Sequence, residues 1–329
     1  MINPDSYKVG PLLYMPALRN DIAEKISDAE ALGLTSTALC LEDTIRDDMV
    51  ENAEYNLKEQ FYVLDDMVRS GRLSEDKLPM IFVRVRSPYQ LEKMNTILGD
   101  NSRYLYGFIL PKIDDENIGG YLDTLNKINK FRSKKYCIMP IIENPSLIRP
   151  DTRHAKLRSL YEQLMTVQDT VLNVRIGGND FCNTLALRAD INHTIYDIPP
   201  IAALLSDISA VFAGDFIVSA PVWNYFENGT DDRWKKGLIK EITGDKAMGF
   251  VGKTVIHPCQ VTVAREAMKI SRTDYEDARL VLEQSGEVQV LKSINGGRMY
   301  ENKVHSKWAE KTIALAEAYG IYEDQETYA

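Results

Sequence analysis

The stretch Ile138-Met139-Pro140-Ile141-Ile142-Glu143-Asn144-Pro145 is an apolar run that ends abruptly on a carboxylate and is then stopped by proline. Short apolar runs bounded by proline read as strands covered on both faces, and the residue before a proline is pushed away from helix. Glu143 is therefore expected at the C-terminal tip of a buried strand. Later in the chain, Asn173-Val174-Arg175-Ile176-Gly177-Gly178-Asn179-Asp180 repeats the arrangement, with two glycines that bring backbone close before a terminal Asp180. Carboxylates on two strand tips point to a hard metal ion held by Glu143 and Asp180. The competing reading is a helix N-cap, a common use of a carboxylate just after a strand.

Upstream, residues 12–17 read as a short apolar strand, followed by a helix with Ile22, Ile26, Ala29 and Leu32 at helical spacing and Gly33 as its stop. Residues 36–43 read as a second strand with the acidic tip Glu42-Asp43, followed by a long helix marked by Ile45, Met49, Ala53, Leu57, Phe61 and Leu64. Residues 80–86 and 107–113 are the third and fourth strands, and Glu143 ends the fifth. A helix carrying Leu157, Leu160, Leu164 and Val167 leads to the sixth strand, which ends at Asp180. Residues 216–223 and 253–258 are the seventh and eighth.

Strands alternating with helical patterns at intervals of roughly 25 to 45 residues predict an α/β chain of (β/α)8 TIM-barrel type, a fold of about 250 residues. A doubly wound sheet is the alternative, but no GxGxxG follows a first strand. Residues 1–270 are assigned to the barrel as catalytic domain and residues 271–329 to a C-terminal helical extension. In that extension Val304, Trp308, Leu315 and Tyr319 recur at near-helical spacing and need a surface to bury against.

The chain of 329 residues, 44% hydrophobic and 26% charged, has the composition of a soluble globular protein able to bury a sizeable core. It has no apolar run long enough to span a bilayer and no basic start followed by an apolar run, so a cytoplasmic protein without a membrane partner is expected. Cys40, Cys137, Cys182 and Cys259 form no CxxC and are expected as small core residues in a reducing compartment. A formal charge of −9 disfavours a nucleic-acid partner, which needs a basic surface, but does not bear on a small anionic substrate that feels only the local field.

Barrel chemistry sits at the C-terminal ends of the strands, and here those ends carry Glu42, Asp43, Arg84, Arg86, Lys112, Glu143 and Asp180. Period-two alternation puts Arg84 and Arg86 on one face of their strand, so that both could point into the mouth. The bland alternative is a ring of charges that only pair with one another around the rim. His257, just before a proline on the eighth strand, is expected as a packed, backbone-bonded histidine ahead of a catalytic one. His154, His193 and His305 are expected at the surface, and Asn228-Gly229-Thr230 as a turn.

These residues resemble the citrate lyase β-subunit-like family, the HpcH/HpaI aldolases and lyases, from Leu12 to about Val304. Leu39-Cys40-Leu41-Glu42-Asp43 is similar to that family's Leu-Glu-Asp tip, Val83-Arg84-Val85 to its Val-Arg-Val strand, and residues 107–112 to its Leu-Pro-Lys strand. Ile142-Glu143 resembles its Ile-Glu motif and residues 178–181 its Asp-Phe motif. Residues 252–260 resemble its Gly-Lys…Ile-His-Pro-x-Gln signature, and Gly297-Arg298-Met299 its closing Gly-x-Met. The chain is more similar to a divergent branch of these lyases, found in bacterial stress-associated biosynthetic operons, than to the citrate lyase subunit itself.

The resemblance implies a Mg²⁺-dependent carbon–carbon lyase or condensing enzyme, with Mn²⁺ as a possible substitute, acting on a β-hydroxyacyl thioester or a related keto or hydroxy acid. Glu143 and Asp180 would hold the metal. Arg84 would grip a carboxylate and stabilise developing charge, and Glu42 and Asp43 would handle protons or orient Arg84. Arg86, Lys112 and Arg19 join Arg84 as candidate substrate-binding cations. Glu301 stands where the family carries an acid contributed across a subunit interface, the alternative being an exposed surface glutamate. The extension would cover a neighbouring barrel in a homo-oligomer, a trimer by resemblance.

Two departures bear on substrate. Arg86 replaces the family's usual Asn, which favours a more anionic substrate. The loop after Asp43 offers Asp47, Asp48, Glu51 and Glu54 where the family has an Ala-Pro start and a Lys-rich helix, which sets the chain apart from its CoA-thioester users. A thioester hydrolase on the same scaffold and a non-catalytic scaffold subunit remain open as alternatives.

Overall fold

Strands β1 (Pro11–Pro16), β2 (Ser36–Cys40), β3 (Met80–Arg84), β4 (Leu105–Ile113), β5 (Cys137–Ile142), β6 (Val174–Ile176), β7 (Val218–Val222) and β8 (Lys253–Val255) close into a barrel in chain order. All neighbours are parallel, and β8 pairs back onto β1. The computed structural model describes residues 3–283, 290–293 and 297–324. Residues 1–264 and 265–329 form two compact units.

Helices of the first unit are α1 (Asp5–Lys8), α2 (Ile22–Ser27), α3 (Val50–Arg69), α4 (Pro88–Leu98), α5 (Ile118–Asn129), α6 (Pro150–Met165), α7 (Gly178–Thr184), α8 (Pro199–Phe212) and α9 (Arg233–Ala247). α10 (Cys259–Met268) follows β8. Local sequence explains their limits. Ala53, Leu57, Phe61 and Leu64 recur every third or fourth residue of α3 and are buried, which turns one apolar stripe to the barrel wall. α4 starts at Pro88 because Ser87 caps it, its hydroxyl accepting the Gln90 N–H at 3.2 Å. α2 stops at Ser27, short of the run expected through Leu32, and turns continue to Gly33 at φ +64°.

Alternate residues of a barrel strand point inward. Leu12 of β1, Ala38 of β2, Phe82 of β3, Ile109 of β4 and Met139 of β5 share one interior cluster, closed from below by Val9 and Leu172. The opposite parity points out to the helices, and it is used by Lys253. Its ammonium is fully buried and bonds Glu241 at 2.6 Å and Asp245 at 3.0 Å, both on α9. Glu241 also accepts the Ile195 N–H at 2.9 Å and Asp245 the Tyr196 hydroxyl at 2.5 Å, so the pair ties the loop before α8 to the wall.

The strand limits correct three expectations. β2 and β3 end at Cys40 and Arg84, so Arg86 lies beyond its strand and period-two alternation no longer sets its direction. β6 ends at Ile176, and Asp180 sits in the first turn of α7 instead of on a strand tip. Cys40, Cys137 and Cys182 are buried as expected, whereas Cys259 is only partly so.

The second unit packs α11 (Arg272–Glu283) with α12 (Asn302–Tyr319) through Ala278, Val281, Tyr300 and Ala309. Tyr300 stacks on Trp308 with ring centres 5.2 Å apart, and its hydroxyl donates to the buried Asp277 at 2.9 Å. Two small sheets complete it: antiparallel β10 (Val290–Lys292) with β11 (Met299–Glu301), and parallel β9 (Ile270–Ser271) with β12 (Ile321–Tyr322). Among the described residues no helix is long and apolar enough to cross a membrane.

Removing one member of a buried ion pair strands the other charge, so Lys253→Met is expected to lower unfolding stability by about 3–5 kcal/mol in urea titrations. Replacing Lys253, Glu241 and Asp245 together by Met, Gln and Asn should recover much of that loss. Equal destabilisation in both variants would show that packing, not charge pairing, holds this wall.

Candidate active site

The inward parity that builds the core continues to the C-terminal mouth. On β5, Cys137, Met139 and Ile141 belong to the interior cluster, and the next residue in phase is Glu143. Tyr14 follows Leu12 on β1 and Arg84 follows Phe82 on β3 in the same way. Arg175 of β6 and Thr254 of β8 share the wall, and together with Asp180 these residues line a cavity of about 300 Å³.

Glu143 is the most constrained group. It is only 2% exposed, and its Oε1 accepts the Lys112 backbone N–H at 3.0 Å. A Cβ on Gly177 would lie 1.9 Å from its Oε2, so only glycine leaves room for the carboxylate there. Gly178 is equally committed, since a Cβ would meet Ile195 at 2.4 Å. Burial, and then the charge of Asp180, push the Glu143 carboxyl up to about 8, against the pull of Arg84 and the Lys112 N–H. Two carboxylates forced together in a low-dielectric site want a cation. The donors are oxygens only, and Mg²⁺ typically takes one or two protein carboxylates and keeps positions for water and ligand, so the pair fits that ion. Among the described residues no cluster of three or more acidic, His or Cys side chains competes with it.

A second set of charges forms the adjacent rim. The Arg84 guanidinium lies 5.3 Å from the Tyr14 ring centre, donates Nε to Cys40 Sγ at 3.2 Å and reaches Glu42 at 3.1 Å and Asp43 at 3.5 Å. Lys112 Nζ bonds the same two carboxylates at 2.6 Å and 2.7 Å. Its backbone is left-handed at φ +52° beside a register shift in β4, and this turn aims its N–H at Glu143. Burial opposes charge on Arg84, yet Cys40, Tyr14 and Glu42 hold its pKa above the ordinary value. Lys112 is likewise raised, its bonds to Asp43 and Glu42 outweighing burial. Burial and Asp43 push Glu42 up, whereas Asp43, against its own burial, is held down by Glu42 and Lys112. Neighbouring carboxyls whose environments separate their proton affinities are suited to proton transfer.

Of the expected residues, Arg84, Asp43, Glu143 and Asp180 line the cavity, with Glu42 and Lys112 bonded to them. Arg86 does not line it. Its Nε donates to the Leu41 carbonyl at 2.7 Å, its Nη2 to the carbonyls of Glu42 and Ile45, and its Nη1 to Asp47, so it braces the loop that carries the acidic tip. Arg19 pairs with Asp21 at 2.6 Å and also stands outside the lining. Glu301 belongs to the second unit, where it is exposed and precedes α12. His257 stacks on Phe226 with ring centres 4.8 Å apart and faces Cys259 Sγ at 3.0 Å, which fits a packing histidine. Sequence reasoning passed over Tyr14, Arg175 and Thr254. The available signal was composition: Arg175 is a cation inside a short apolar strand, two residues before Gly177.

A family model described as C-C bond lyase of the TIM-barrel fold matches residues 3–321. The chain belongs to that family. No curated protein matches it. Among solved structures it is similar to CitE from Mycobacterium tuberculosis in complex with magnesium, acetoacetate and coenzyme A. That likeness has 18% identity and a TM-score of 0.61 over 95% of this chain and 99% of that one. RipC from Yersinia pestis has 15% identity and a TM-score of 0.53, over 80% of this chain and 96% of that one. A citrate lyase beta subunit from M. tuberculosis, complexed with oxaloacetate and magnesium, has 17% identity and a TM-score of 0.52, over 80% and 98%. At such identities the likeness is one of fold.

Because Arg86 contacts the acidic loop and not the cavity, Arg86→Asn should speed amide hydrogen exchange across residues 41–47 and lower the thermal midpoint. The relative affinities for different small acids should stay unchanged. A changed ligand preference with unchanged exchange would return Arg86 to the substrate.

Proposed function

We propose that the chain is a Mg²⁺-dependent carbon–carbon bond lyase, or the reverse condensing enzyme, acting on a small 2-oxo or 2-hydroxy carboxylate. The observation that carries this reading is the convergence of buried Glu143 and Arg84 with half-buried Asp180 on one cavity at the barrel mouth. Family membership supports the reaction class. The magnesium and small oxo acids named for the M. tuberculosis structures support the ion and the substrate type.

Cleaving a bond between a hydroxyl-bearing carbon and the carbon next to a carbonyl leaves negative charge on the departing fragment and frees the hydroxyl proton. Glu143 and Asp180 would hold Mg²⁺, which would supply Lewis-acid polarisation of substrate oxygens. The remaining work falls to the chain. Arg84, fixed by Cys40, Glu42 and Asp43, offers a planar donor fork to a carboxylate or to the developing oxyanion. Asp43 and Glu42, held together by Lys112, take and return the proton. The apolar floor and Tyr14 keep bulk water from the reacting carbons.

A cavity of about 300 Å³ encloses a keto acid or the acyl end of a thioester. Acetyl-CoA therefore tests thioester recognition, whether by a lyase or a hydrolase, apart from the free keto acids. We also assign to the second unit the cover of a neighbouring barrel, with the exposed Glu301 as the residue it would bring.

Calorimetry with pyruvate, glyoxylate, oxaloacetate and acetyl-CoA should show binding that requires Mg²⁺ and is lost in Glu143→Gln. Asp180→Asn should weaken it by about 100-fold or more, and turnover should fall with it. Gly177→Ala keeps both ligands but collides with Glu143, and should weaken Mg²⁺ by about tenfold or more with the fold intact by circular dichroism. Metal-independent binding, or none to any of these ligands, would overturn the lyase reading in favour of a scaffold role.

A further inference from the structure

We propose that the turn between α5 and β5 is a membrane-surface contact, in which Phe131 inserts at the headgroup–acyl boundary of an anionic lipid layer and the cations around it meet the phosphates. The reading is independent of the proposed reaction. Residues 127–135 carry Lys127, Lys130, Arg132, Lys134 and Lys135, and residues 124–142 hold no acid at all, in a chain whose formal charge is −9. Phe131 is 86% exposed, the highest value for a large apolar side chain among the described residues. The turn precedes β5, so it lies at the end of the barrel opposite the mouth, about 20 Å of strand away from Glu143.

Other cations at this end of the barrel pair with acids, as Arg72 does with Asp66 and Lys77 with Glu30. Among the described residues, only Lys135 of the run has a carboxylate within salt-bridge reach, Asp169 at 3.5 Å. Lys134 lies over the Tyr106 ring at 5.0 Å and feels Asp5 at longer range, and Lys130 lies 6.0 Å from the Phe131 ring centre. Arg132 stacks 3.7 Å from the Tyr136 ring centre and donates to the Lys134 carbonyl, to Asn95 Oδ1 and to the Ser102 hydroxyl and carbonyl, all neutral. These contacts fix the turn and leave its positive charge uncompensated. Beside Phe131 runs a groove of about 460 Å³, lined in part by Lys127, Arg132, Asn95 and Ser102, with Glu92 as the one carboxylate in its lining; it has room for a lipid headgroup. A basic turn with a projecting aromatic ring matches a surface that is anionic outside and apolar beneath. An acidic peptide would meet the charge but offers no hydrocarbon to a ring this exposed. The overall charge does not oppose the contact, because screening confines each field to about 8 Å. No helix among the described residues spans a bilayer, and a contact of this kind needs none.

The test is co-sedimentation of the full chain with vesicles of phosphatidylcholine alone, or mixed equally with phosphatidylglycerol, at physiological ionic strength. Each cation near an anionic surface is worth about a fivefold gain in partitioning, so the mixed vesicles should bind about 100-fold more tightly or better. Lys130→Gln with Lys134→Gln should cut that binding by about 25-fold. Phe131→Ser should cut it by about tenfold. Circular dichroism should be unchanged in each, since all three side chains are exposed. Phe131→Trp should bind as the wild type does and add an emission that lipids brominated on their acyl chains quench. Equal partitioning onto both vesicles overturns the proposal, as does binding that survives loss of the two lysines. An added emission that brominated lipids leave unquenched also overturns it, and displacement from the vesicles by polyglutamate or a short RNA would then make the patch a docking site for a polyanion.

Discussion

A carboxylate buried beside another carboxylate is the constraint around which the mouth of this barrel is built. Glu143 reaches a position 2% exposed because its strand parity continues the apolar core upward. It stays there because Gly177 leaves space for it and Lys112 turns its N–H onto it. Each of these features opposes ordinary folding preferences: a missing side chain, a left-handed lysine, a desolvated acid. They are reconciled if a cation occupies the position facing Glu143 and Asp180, since it relieves the repulsion that burial magnifies. The site is thus a local excess of negative charge held open by a rigid wall.

That wall depends on keeping other charges paired. At the rim, Glu42, Asp43, Arg84 and Lys112 meet with each cation touching both acids, and Arg86 fastens the loop beneath them through its carbonyls. Outside the barrel, Lys253 meets Glu241 and Asp245 with no exposure, and through Ile195 this triad backs the face on which Gly178 rests. A network of this kind adds little net stability over an apolar equivalent. Its effect is geometric, since shifting any member strands a charge.

The barrel was legible because buried parallel strands carry a strong signal: an apolar run, an acidic or cationic tip, then a proline or glycine. The placement of Glu143 just past the end of β5 was legible for the same reason. Side-chain direction was less so. Arg86 read as a mouth residue on the premise that β3 ran through it, but the strand ends at Arg84 and two residues of turn send the guanidinium sideways. Asp180 read as a strand tip because Gly177 and Gly178 hide the start of α7. Arg175 went unnoticed because β6 is three residues long, too short for its own parity to declare which side faces the cavity. Only its pairing with Ile141 of β5 decides that.

The motif of residues 252–260 puts Thr254 on the cavity wall, but most of it closes the barrel. Gly252 has φ +78°, and a Cβ there would meet the Gly10 carbonyl at 2.8 Å, where Lys253 begins pairing with β1. Gln260 is fully buried, accepts the N–H groups of Ile256 and His257 at 2.8 and 3.1 Å, and donates to the carbonyls of Trp223 and Tyr225 at 3.0 and 2.8 Å. It thereby locks the end of β8 to the loop after β7. Lys253 points away from the cavity, and His257 stacks on Phe226. Joining the last strand to the first is the step in a barrel that no hairpin or local contact can make, so specific side chains are needed there whatever reaction the mouth performs. A signature of this kind therefore holds the scaffold together, while the charged side chains at the mouth are left free to set the chemistry.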